Sequence, residues 1–556
     1  MSAFVAELLR GDGPVRATGI AMPRAGSWVV GDVRLDGRDE LRDALGGAGV
    51  ATAKNASDSA LVLAAWTAWR ETATERLIGD YTFALWDHRE HTLFCARDPL
   101  GVRPLYWAEM GRTFLCGNVL DDLRADPRVS SRLHEPAIVS FLVHGFNADT
   151  ATTTFAAVRR LPPGHQLVVR EATGAPATRR YWSFPTPPLL HLRRDEEYVE
   201  RFRDVLGAAV RDRVRTDSAA IMLSGGLDST ALAATVHRVA PATRLTAWTN
   251  DVGPLQPADE LRLAAEVALR IGAEHRVVYG VQVPLAHLDT PGFHSPEPLD
   301  EPEWGSWIAQ LAAMSSGASV LIDGEDGDAL FRAPGLLTML RSWPAHDVLA
   351  RIARYTIAHR RYPHLGIWLR RGLRSPFAVR PVRAPGWIHS ALLARTGTHD
   401  PIGPPVHPTR PDAVRYLGDP VWQIVFETAQ EAYTGVPLGV VWPLLDTRVI
   451  EFVFSIPPVP WCQRKELLRC AFRGELPDEV LRRRKSPLSG YYEAQVARWR
   501  TARGGVAPAL NEAIREFVDT RRVVDTLQRG SVAEVLVAWR AVILDRWLRG
   551  AGCGRA

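Results

Sequence analysis

The sequence predicts a two-domain protein of the α/β class, with an N-terminal layered α+β domain and a C-terminal parallel-sheet domain that carries a helical extension. Short apolar runs separated by turns fill residues 1–183, a pattern typical of strands. A proline-rich stretch at residues 184–188 then interrupts regular structure. Beyond it, apolar strands alternate with helical patterns, which is typical of a parallel sheet. We therefore place the domains at residues 1–190 and 191–556.

The N-terminal domain is predicted from one helical segment and several strands. Residues 59–70 carry apolar side chains at helical spacing. The clearest predicted strands cover residues 27–30, 81–86, 92–95 and 166–169. Strands interleaved with a helix favour a layered α+β arrangement.

The C-terminal domain begins with a charged helix over residues 195–215. The predicted strands that follow are 219–223, 244–248, 275–278 and 319–322, and the helical segments between them are 229–239, 258–271 and 304–311. In a parallel sheet, ligands bind at the carboxyl ends of the strands. Beyond residue 335 the pattern is mostly helical, and a helix is predicted over residues 462–469.

Composition limits the classes of function. The net charge of +5 over 556 residues is mild, and it is not concentrated in a nucleic-acid reading module. No apolar run is long enough to cross a membrane, and the first residues lack the features of a secretory signal. The five cysteines are odd in number and scattered, so we expect no disulfide framework and no zinc site. A cytoplasmic location is expected.

The most informative stretch is the loop at residues 224–229, which joins an apolar strand to a helix. Its two glycines allow a sharp turn and close approach to an anion. The N–H groups at the helix start, with the Ser224 and Ser229 hydroxyls, would bind a phosphate or pyrophosphate. Asp228 would repel a bare phosphate, so we expect it to hold Mg²⁺. The alternative is an ordinary tight turn, and the pattern is not a Walker A loop.

A second loop, at residues 323–328, has four carboxylates within six residues. Such crowded charges repel one another unless a cation joins them. We expect this loop at the same sheet edge as the first, so Asp328 and Asp228 would share Mg²⁺ on the triphosphate. Glu325 would then act as a general base. A solvated acidic turn or a calcium loop is the alternative.

Lysine is scarce in this chain. Only three of the 67 basic residues are lysines: Lys54, Lys465 and Lys485. Genome composition explains the arginine bias, but a lysine that survives it marks a position where arginine does not substitute. Lys465 and Lys485 would neutralise pyrophosphate or stabilise a developing oxyanion. The alternative is a solvated basic face.

Together these stretches resemble the asparagine-synthetase-like amidotransferase family. The N-terminal likeness lies in residues 75–87 and 96–106, and the C-terminal one in residues 224–229 and 443–446. The resemblance implies an Ntn-type, glutaminase-like domain followed by an adenine-nucleotide α-hydrolase-like synthetase domain. It also implies that ATP and Mg²⁺ are required.

The resemblance, combined with the residue patterns, assigns candidate roles. The metal ligands are Asp228 and Asp328, and the catalytic residues are Glu325, Lys465 and Lys485. The nucleotide-binding residues are Leu223, Ser224, Gly225, Gly226, Leu227, Asp228, Ser229, Asn250, Asp323 and Gly324.

The chain departs from this family at its glutaminase site. Family glutaminases use a cysteine at the mature N-terminus, whereas residue 2 here is serine and the first cysteine is Cys95. At the N-terminal position of the family's nucleophile, Ser2 is the alternative candidate. The family's Asn-Gly-Glu segment is also missing near residues 31–35. We therefore expect that no ammonia is made and that the amine comes from the substrate.

Two branches of the family resemble this chain in lacking the glutaminase: β-lactam synthetases and lasso peptide cyclases. Residues 33–41 and 325–331 look more like the lasso branch, and the helical stretch 354–383 would receive a peptide unless it is plain surface. The working hypothesis is a lasso peptide cyclase, with a precursor peptide as substrate and a leader-binding protein and a leader peptidase as partners. The alternatives are a β-lactam or asparagine synthetase-like enzyme acting on a small amino acid, and a non-catalytic scaffold.

Overall fold

The N-terminal part of the chain contains two antiparallel sheets. In a computed structural model, the described residues are 3–10, 15–19, 22–24, 26–171, 173–251, 253–255, 259–279, 283–290, 294–325, 327–365, 383–397, 407–483, 490–504 and 506–550. The strands of these two sheets are β1 (Val5–Leu9), β2 (Val15–Thr18), β3 (Met22–Arg24), β4 (Ser27–Asp36), β5 (Ile78–Asp87), β6 (Thr92–Arg97), β7 (Tyr106–Met110), β8 (Thr113–Gly117), β9 (Val158–Arg160), β10 (His165–Arg170) and β11 (Thr173–Arg180).

The two antiparallel sheets pack face to face. One has the order β2-β1-β8-β7-β9 and the other β11-β10-β6-β5-β4-β3. A core of buried side chains, including Phe4, Trp86 and Phe114, lies between them. Helices α1 (Arg38–Gly47) and α2 (Asp58–Trp69) cover the outer face of the second sheet. Strand β5 is therefore covered on both faces, which explains why its side chains are almost all buried.

The C-terminal part is built on one parallel sheet. Its strands are β12 (Ser218–Met222), β13 (Arg244–Asp251), β14 (Glu274–Tyr279), β15 (Val320–Ile322) and β16 (Gly439–Val441). Their order is β14-β13-β12-β15-β16, and each neighbouring pair runs parallel. Strands β12 and β15 are therefore adjacent, so the loops that follow them lie at one edge of the sheet.

The remaining helices include two in the N-terminal half, α3 (Leu120–Arg124) and α4 (Glu135–His144), and the helices that connect the strands of the parallel sheet and extend its domain. The latter are α5 (Asp195–Arg213), α6 (Leu227–Val239), α7 (Glu260–Arg270), α8 (Trp304–Ser315), α9 (Gly327–Leu330), α10 (Leu336–Ser342), α11 (Ala345–His359), α12 (Ser390–Thr396), α13 (Pro411–Leu417), α14 (Val421–Thr428), α15 (Glu431–Thr434), α16 (Thr447–Ser455), α17 (Pro458–Trp461), α18 (Glu466–Ala471), α19 (Asp478–Arg482), α20 (Tyr491–Ala502), α21 (Thr520–Arg529) and α22 (Val532–Gly550). Among the described residues, no helix combines the length and apolar character that a membrane span requires.

The last helices of the chain pack against the N-terminal half. Trp539 of α22 is fully buried in a core that also contains Tyr106 and Leu115 of the first sheet. Burial of such aromatic side chains contributes about 1.5–3 kcal/mol each. The helical extension thus covers the face of that sheet that the second sheet leaves open.

Buried charges also join the two halves. Arg213, near the end of α5, lies 2.8 Å from the Asp36 carboxylate at the end of β4 and forms a second ion pair with Asp446. Arg160 of β9 donates to Glu427 of α14 at 3.0 Å. All five side chains are almost fully buried. Loss of one partner would leave an uncompensated charge in the interior, which is strongly destabilising.

The structure confirms the predicted fold class and differs at two predicted elements. Of the helical stretch expected at residues 354–383, α11 ends at His359, residues 360–365 are not helical, and residues 366–382 lie outside the described residues. The helix expected over residues 462–469 is interrupted, because Arg464 and Lys465 have left-handed φ values of 53° and 57°. A short 3-10 turn at Gln463–Lys465 precedes α18 instead. The continuous-helix prediction was wrong because it used side-chain spacing alone. The left-handed backbone at Arg464 and Lys465 interrupts the helix and sets the position of the Lys465 side chain.

Candidate active site

The loop between β12 and α6 is braced by its own serines. The Ser224 and Ser229 hydroxyl oxygens lie 3.0 Å apart. The Ser224 N–H donates to Ser229 Oγ at 3.1 Å, and the Gly226 N–H donates to Ser224 Oγ at 3.2 Å. These bonds fix the turn just before Leu227, the first residue of α6. The first N–H groups of a helix have no partner within it, and with the helix dipole they favour an anion.

An arginine lies directly against this loop. A Cβ atom on Gly225 would come within 2.5 Å of Arg483 Nη1, so the guanidinium lies closely against this glycine. Arg483 is held from the other side by Asp259 at 3.1 Å and Glu260 at 3.3 Å. Its guanidinium therefore adds fixed positive charge beside the turn, which complements an anionic ligand.

The acidic loop after β15 packs tightly on the first loop. A Cβ on Gly324 would lie 3.0 Å from Ser229 Cα, and a Cβ on Gly327 would lie 2.4 Å from Asp228 Cγ. The second distance is far inside van der Waals contact, so glycine is required for Asp228 to occupy its place. The two loops predicted to share a sheet edge thus lie in direct contact.

One ammonium group joins the two candidate metal ligands. Lys465 Nζ lies 2.5 Å from Asp328 Oδ1 and forms an ion pair with Asp228 Oδ2. The side chains of Lys465 and Asp228 are 15% and 18% exposed, so the pair is shielded more than a surface salt bridge. Two like charges from different loops are therefore held together by a cation, as expected for crowded carboxylates.

The carboxylates of Asp228 and Asp328 fit a divalent cation, because both converge on a single cationic atom. Within the described ranges, no three His, Cys, Asp or Glu side chains come together as a metal-binding group. Mg²⁺ commonly binds one or two protein carboxylates and takes its other ligands from water and phosphate. Asp326, the remaining acidic residue of this loop, lies outside the described residues.

Two nucleotide-binding candidates lie at the same edge of the sheet. Leu223 directly follows β12, and Asn250 lies in the neighbouring strand β13. The Leu223 N–H donates to the Trp248 carbonyl at 2.8 Å, which extends the pairing of β12 and β13 past the end of β12. The Asn250 side-chain oxygen is buried, and no hydrogen-bond partner is present for it among the described residues. Such an acceptor favours a bound donor group, because a buried polar atom without a partner is costly.

The remaining acidic candidates differ in environment. Burial raises the pKa of Asp323, and the N–H of Glu325 donates to the Asp323 carboxylate at 3.0 Å. The side chain of Glu325 itself is exposed to solvent. Asp323 thus shapes the loop, whereas the Glu325 side chain is accessible to a substrate.

Two sequence predictions fall outside the described residues: Lys485 and Ser2. Their roles stay predictions, as do the roles assigned to the residues that the structure brings together. Arg483 belongs to the basic run at residues 482–485, where the sequence predicts positive charge that neutralises pyrophosphate but assigns the specific role to Lys485. Arg483 lies in a run of arginines in an arginine-rich chain, so composition gave no signal, and only its contact with Gly225 singles it out.

The N-terminal half presents no exposed thiol among its described residues. Cys95 of β6 and Cys116 of β8 are fully buried between the two sheets, with their sulfur atoms 3.5 Å apart. The hydrogen bond with the neighbouring Cys116 thiol, together with burial, raises the pKa of Cys95 well above its usual value. Neither group could reach a substrate as a thiolate nucleophile.

Comparison with known families decides the relationship. Residues 201–549 match the asparagine synthase family, and residues 37–182 match the glutamine amidotransferase domain. The first match covers more than half of the chain and includes both loops of the site. The chain belongs to the asparagine synthase family. The predicted order, an Ntn-type glutaminase-like domain before a parallel-sheet synthetase domain, is confirmed for this family member.

Individual relatives of this asparagine synthase family member are distant. A putative glutamine-hydrolysing asparagine synthetase of Mycobacterium tuberculosis is 30% identical over 53% of this chain and 45% of its own length. Asparagine synthetase 3 of Bacillus subtilis is 28% identical over 32% of this chain and 28% of its own length. An amidase of Gibberella zeae is 27% identical over 52% of this chain and 46% of its own length. The matched region thus spans less than half the length of each of these relatives.

Proposed function

We propose that this chain is an ATP-dependent carbon–nitrogen ligase that forms an amide through an acyl-adenylate. The observation that carries this proposal is the junction of the two loops, where Asp228, Asp328 and Lys465 meet beside the start of α6. A helix start that favours an anion, next to two carboxylates that favour a cation, is suited to a magnesium-bound triphosphate. Membership of the asparagine synthase family supports the same chemistry.

The reaction has two steps. A substrate carboxylate oxygen attacks the α-phosphorus of ATP, the bond to the bridging oxygen of the β-phosphate breaks, and pyrophosphate leaves. An amine then attacks the acyl carbon, AMP leaves with the former carboxylate oxygen, and the amine nitrogen gives up a proton. Holding amine and acyl group side by side makes the second step effectively unimolecular.

The chain's own residues would serve each step. The turn at residues 224–229 and the Arg483 guanidinium would hold the outgoing pyrophosphate. Lys465 would neutralise charge there, and Lys485 would stabilise the oxyanion at the acyl carbon. Glu325, which is exposed, would accept the amine proton. Mg²⁺ held by Asp228 and Asp328 would neutralise phosphate charge when bound.

The proposed substrate is a precursor peptide that supplies both reacting groups. Its Asp or Glu side chain would be adenylated, and its N-terminal amine would close a macrolactam, which makes the chain a lasso peptide cyclase. The buried cysteines of the N-terminal half support an amine that does not come from glutamine, because neither thiol can reach a substrate. A leader-binding protein and a leader peptidase would act with the enzyme.

Pyrophosphate release tests the proposal. The purified chain is incubated with ATP, Mg²⁺ and peptides that have a free amino terminus and an internal Asp or Glu. Matched peptides acetylated at the amino terminus, and free aspartate with ammonium, serve as the comparison. We expect pyrophosphate together with a peptide that has lost one water, from the free-amine peptides only. Product from free aspartate and ammonium alone would replace the peptide assignment with a small-molecule synthetase.

Two variants connect the activity to the site. Asp228→Asn and Asp328→Asn should each lower pyrophosphate release by about 100-fold, because each removes a carboxylate that would hold Mg²⁺ at the triphosphate. Asp525→Asn, at an exposed ion pair with Arg529 in α21, is the matched control and should retain activity. Equal activity in all three variants would show that the junction of the two loops is not the reaction site.

A further inference from the structure

A cavity lies outside the site that the two loops form. Its volume is about 770 Å³, within the range of ligand pockets, and it is an open cleft lined by α5, α17, α18 and the end of α11. None of the side chains assigned above to ATP or to magnesium lines it. The proposed reaction therefore leaves this cavity without a role.

The cavity wall is strongly acidic. It includes five carboxylates: Asp195, Glu196, Glu200, Asp204 and Glu466. Arg203 and Arg473 are the arginines of the described wall. Arg203 is itself ion-paired with Glu475, and Asp195 is 3.8 Å from Arg354, so part of each charge is already compensated. A negative balance remains along one face of α5, where Glu200 and Asp204 lie beyond the first helical turn in which acidic residues favour the helix dipole.

Two further groups indicate a binding surface. Trp461 forms part of the wall, its side chain is 3% exposed, and its indole N–H has no acceptor among the described residues. Cys470, on the same wall, has its pKa raised to about 11 by burial and by the negative charge of Glu466. The cavity therefore combines negative potential with an aromatic ring and a buried donor, a combination suited to a cationic chain with backbone carbonyls.

The cavity is connected to the reaction site through adjacent residues. Glu466 lines the cavity, and its neighbour Lys465 holds Asp228 and Asp328. The backbone is left-handed at Arg464 and Lys465, immediately before Glu466. An occupant of the cavity would therefore contact the segment that positions Lys465.

We propose that this cavity binds a cationic segment of the peptide substrate, with arginine or lysine side chains on the α5 carboxylates and its backbone against Trp461. The inference rests on the proposed peptide substrate and adds a recognition site remote from the reacting groups. Such a site would hold the peptide while its amine and carboxylate approach the adenylate.

Fluorescence anisotropy with the full chain tests this. The probe is a short fluorescein-labelled peptide of alternating arginine and alanine, and the matched probe has citrulline in place of arginine. We expect the arginine probe to bind, to weaken as salt is added, and to bind about tenfold more weakly to the E200Q/D204N variant. The D43N/D525N variant, which removes two exposed carboxylates from other helices, should bind like the unmodified chain. Glu196→Gln provides a second cavity variant if the double variant fails to fold.

Two results would overturn the inference: equal binding of the arginine and citrulline probes, or equal affinity of the cavity and control variants for the arginine probe. The assay contains no ATP, so its result is independent of pyrophosphate release. Failure of catalysis with an intact probe site would count against the proposed function, whereas active catalysis with no probe site would count against this cavity alone.

Discussion

At the residue scale, Lys465 determines how the acidic groups of the site are held. Its ammonium contacts carboxylates from two loops that follow adjacent strands. A compact ammonium on a flexible stem fits between two oxygens, whereas a planar guanidinium needs a wider, bidentate arrangement. This geometry gives a physical reason for lysine at this position in a chain with three lysines.

The change Lys465→Arg tests that reason. We expect pyrophosphate release to fall by about 100-fold, because the larger head group would displace the carboxylates from their positions. Lys54→Arg, at an exposed position of the N-terminal half, is the matched control and should leave activity unchanged. Thermal melting of both variants checks that the fold is retained. Full activity of Lys465→Arg would mean that this position requires only positive charge.

At the element scale, the site depends on two loops that pack closely because glycine is present where they touch. Gly327 begins α9 directly beneath the Asp228 carboxylate. Neither loop alone forms the site, because the phosphate-binding turn precedes α6, whereas Asp328 lies in α9 after β15. The adjacency of β12 and β15 is what brings them together.

Gly327→Ala should therefore disable the site without unfolding the protein. The new methyl group would lie 2.4 Å from Asp228 Cγ, so the carboxylate must move. We expect about 100-fold slower pyrophosphate release, since a displacement of that order is costly to catalysis. Gly46→Ala is the control, because a Cβ at Gly46 of α1 meets nothing within 4 Å. Comparable rates for the two variants would contradict the packing argument.

The sequence predicts most of the strands and helices that form this edge of the parallel sheet. It does not predict the side-chain contacts between the loops that meet there. Strands such as residues 219–223 and 319–322 were predictable because buried parallel strands are continuous apolar runs. The three-residue strand β16 was too short to give a pattern. The contact of Lys465 with Asp228 spans 237 positions and depends on a left-handed backbone, so no local signal encodes it. Lysine scarcity identified the residue but not its partners.

At the scale of the whole molecule, buried charges hold the glutaminase-like half against the synthetase half. Arg213 of α5 pairs with Asp36 from the first half and Asp446 from the second, and all three are nearly inaccessible to solvent. Arg34 and Asp80 belong to the same cluster. These ion pairs tie the first half to the site-bearing half as a structural support.

Arg213→Met should destabilise the whole protein. It leaves Asp36 and Asp446 buried without their shared partner, which costs about 3–5 kcal/mol. Urea denaturation followed by tryptophan fluorescence measures the loss in free energy of unfolding. Arg529→Met is the comparison, because its ion pair with Asp525 is exposed and should contribute less than about 1 kcal/mol. A similar loss in both variants would argue against the charge cluster as the link between the halves.

The fate of the substrate's carboxylate oxygen tests the central claim most directly. A peptide with ¹⁸O in its Asp or Glu side-chain carboxylate is converted with ATP, and the nucleotide product is analysed by mass spectrometry. Attack on the α-phosphorus predicts AMP that carries one ¹⁸O atom, released together with unlabelled pyrophosphate. Unlabelled AMP, or ADP with ¹⁸O in inorganic phosphate, would contradict an acyl-adenylate.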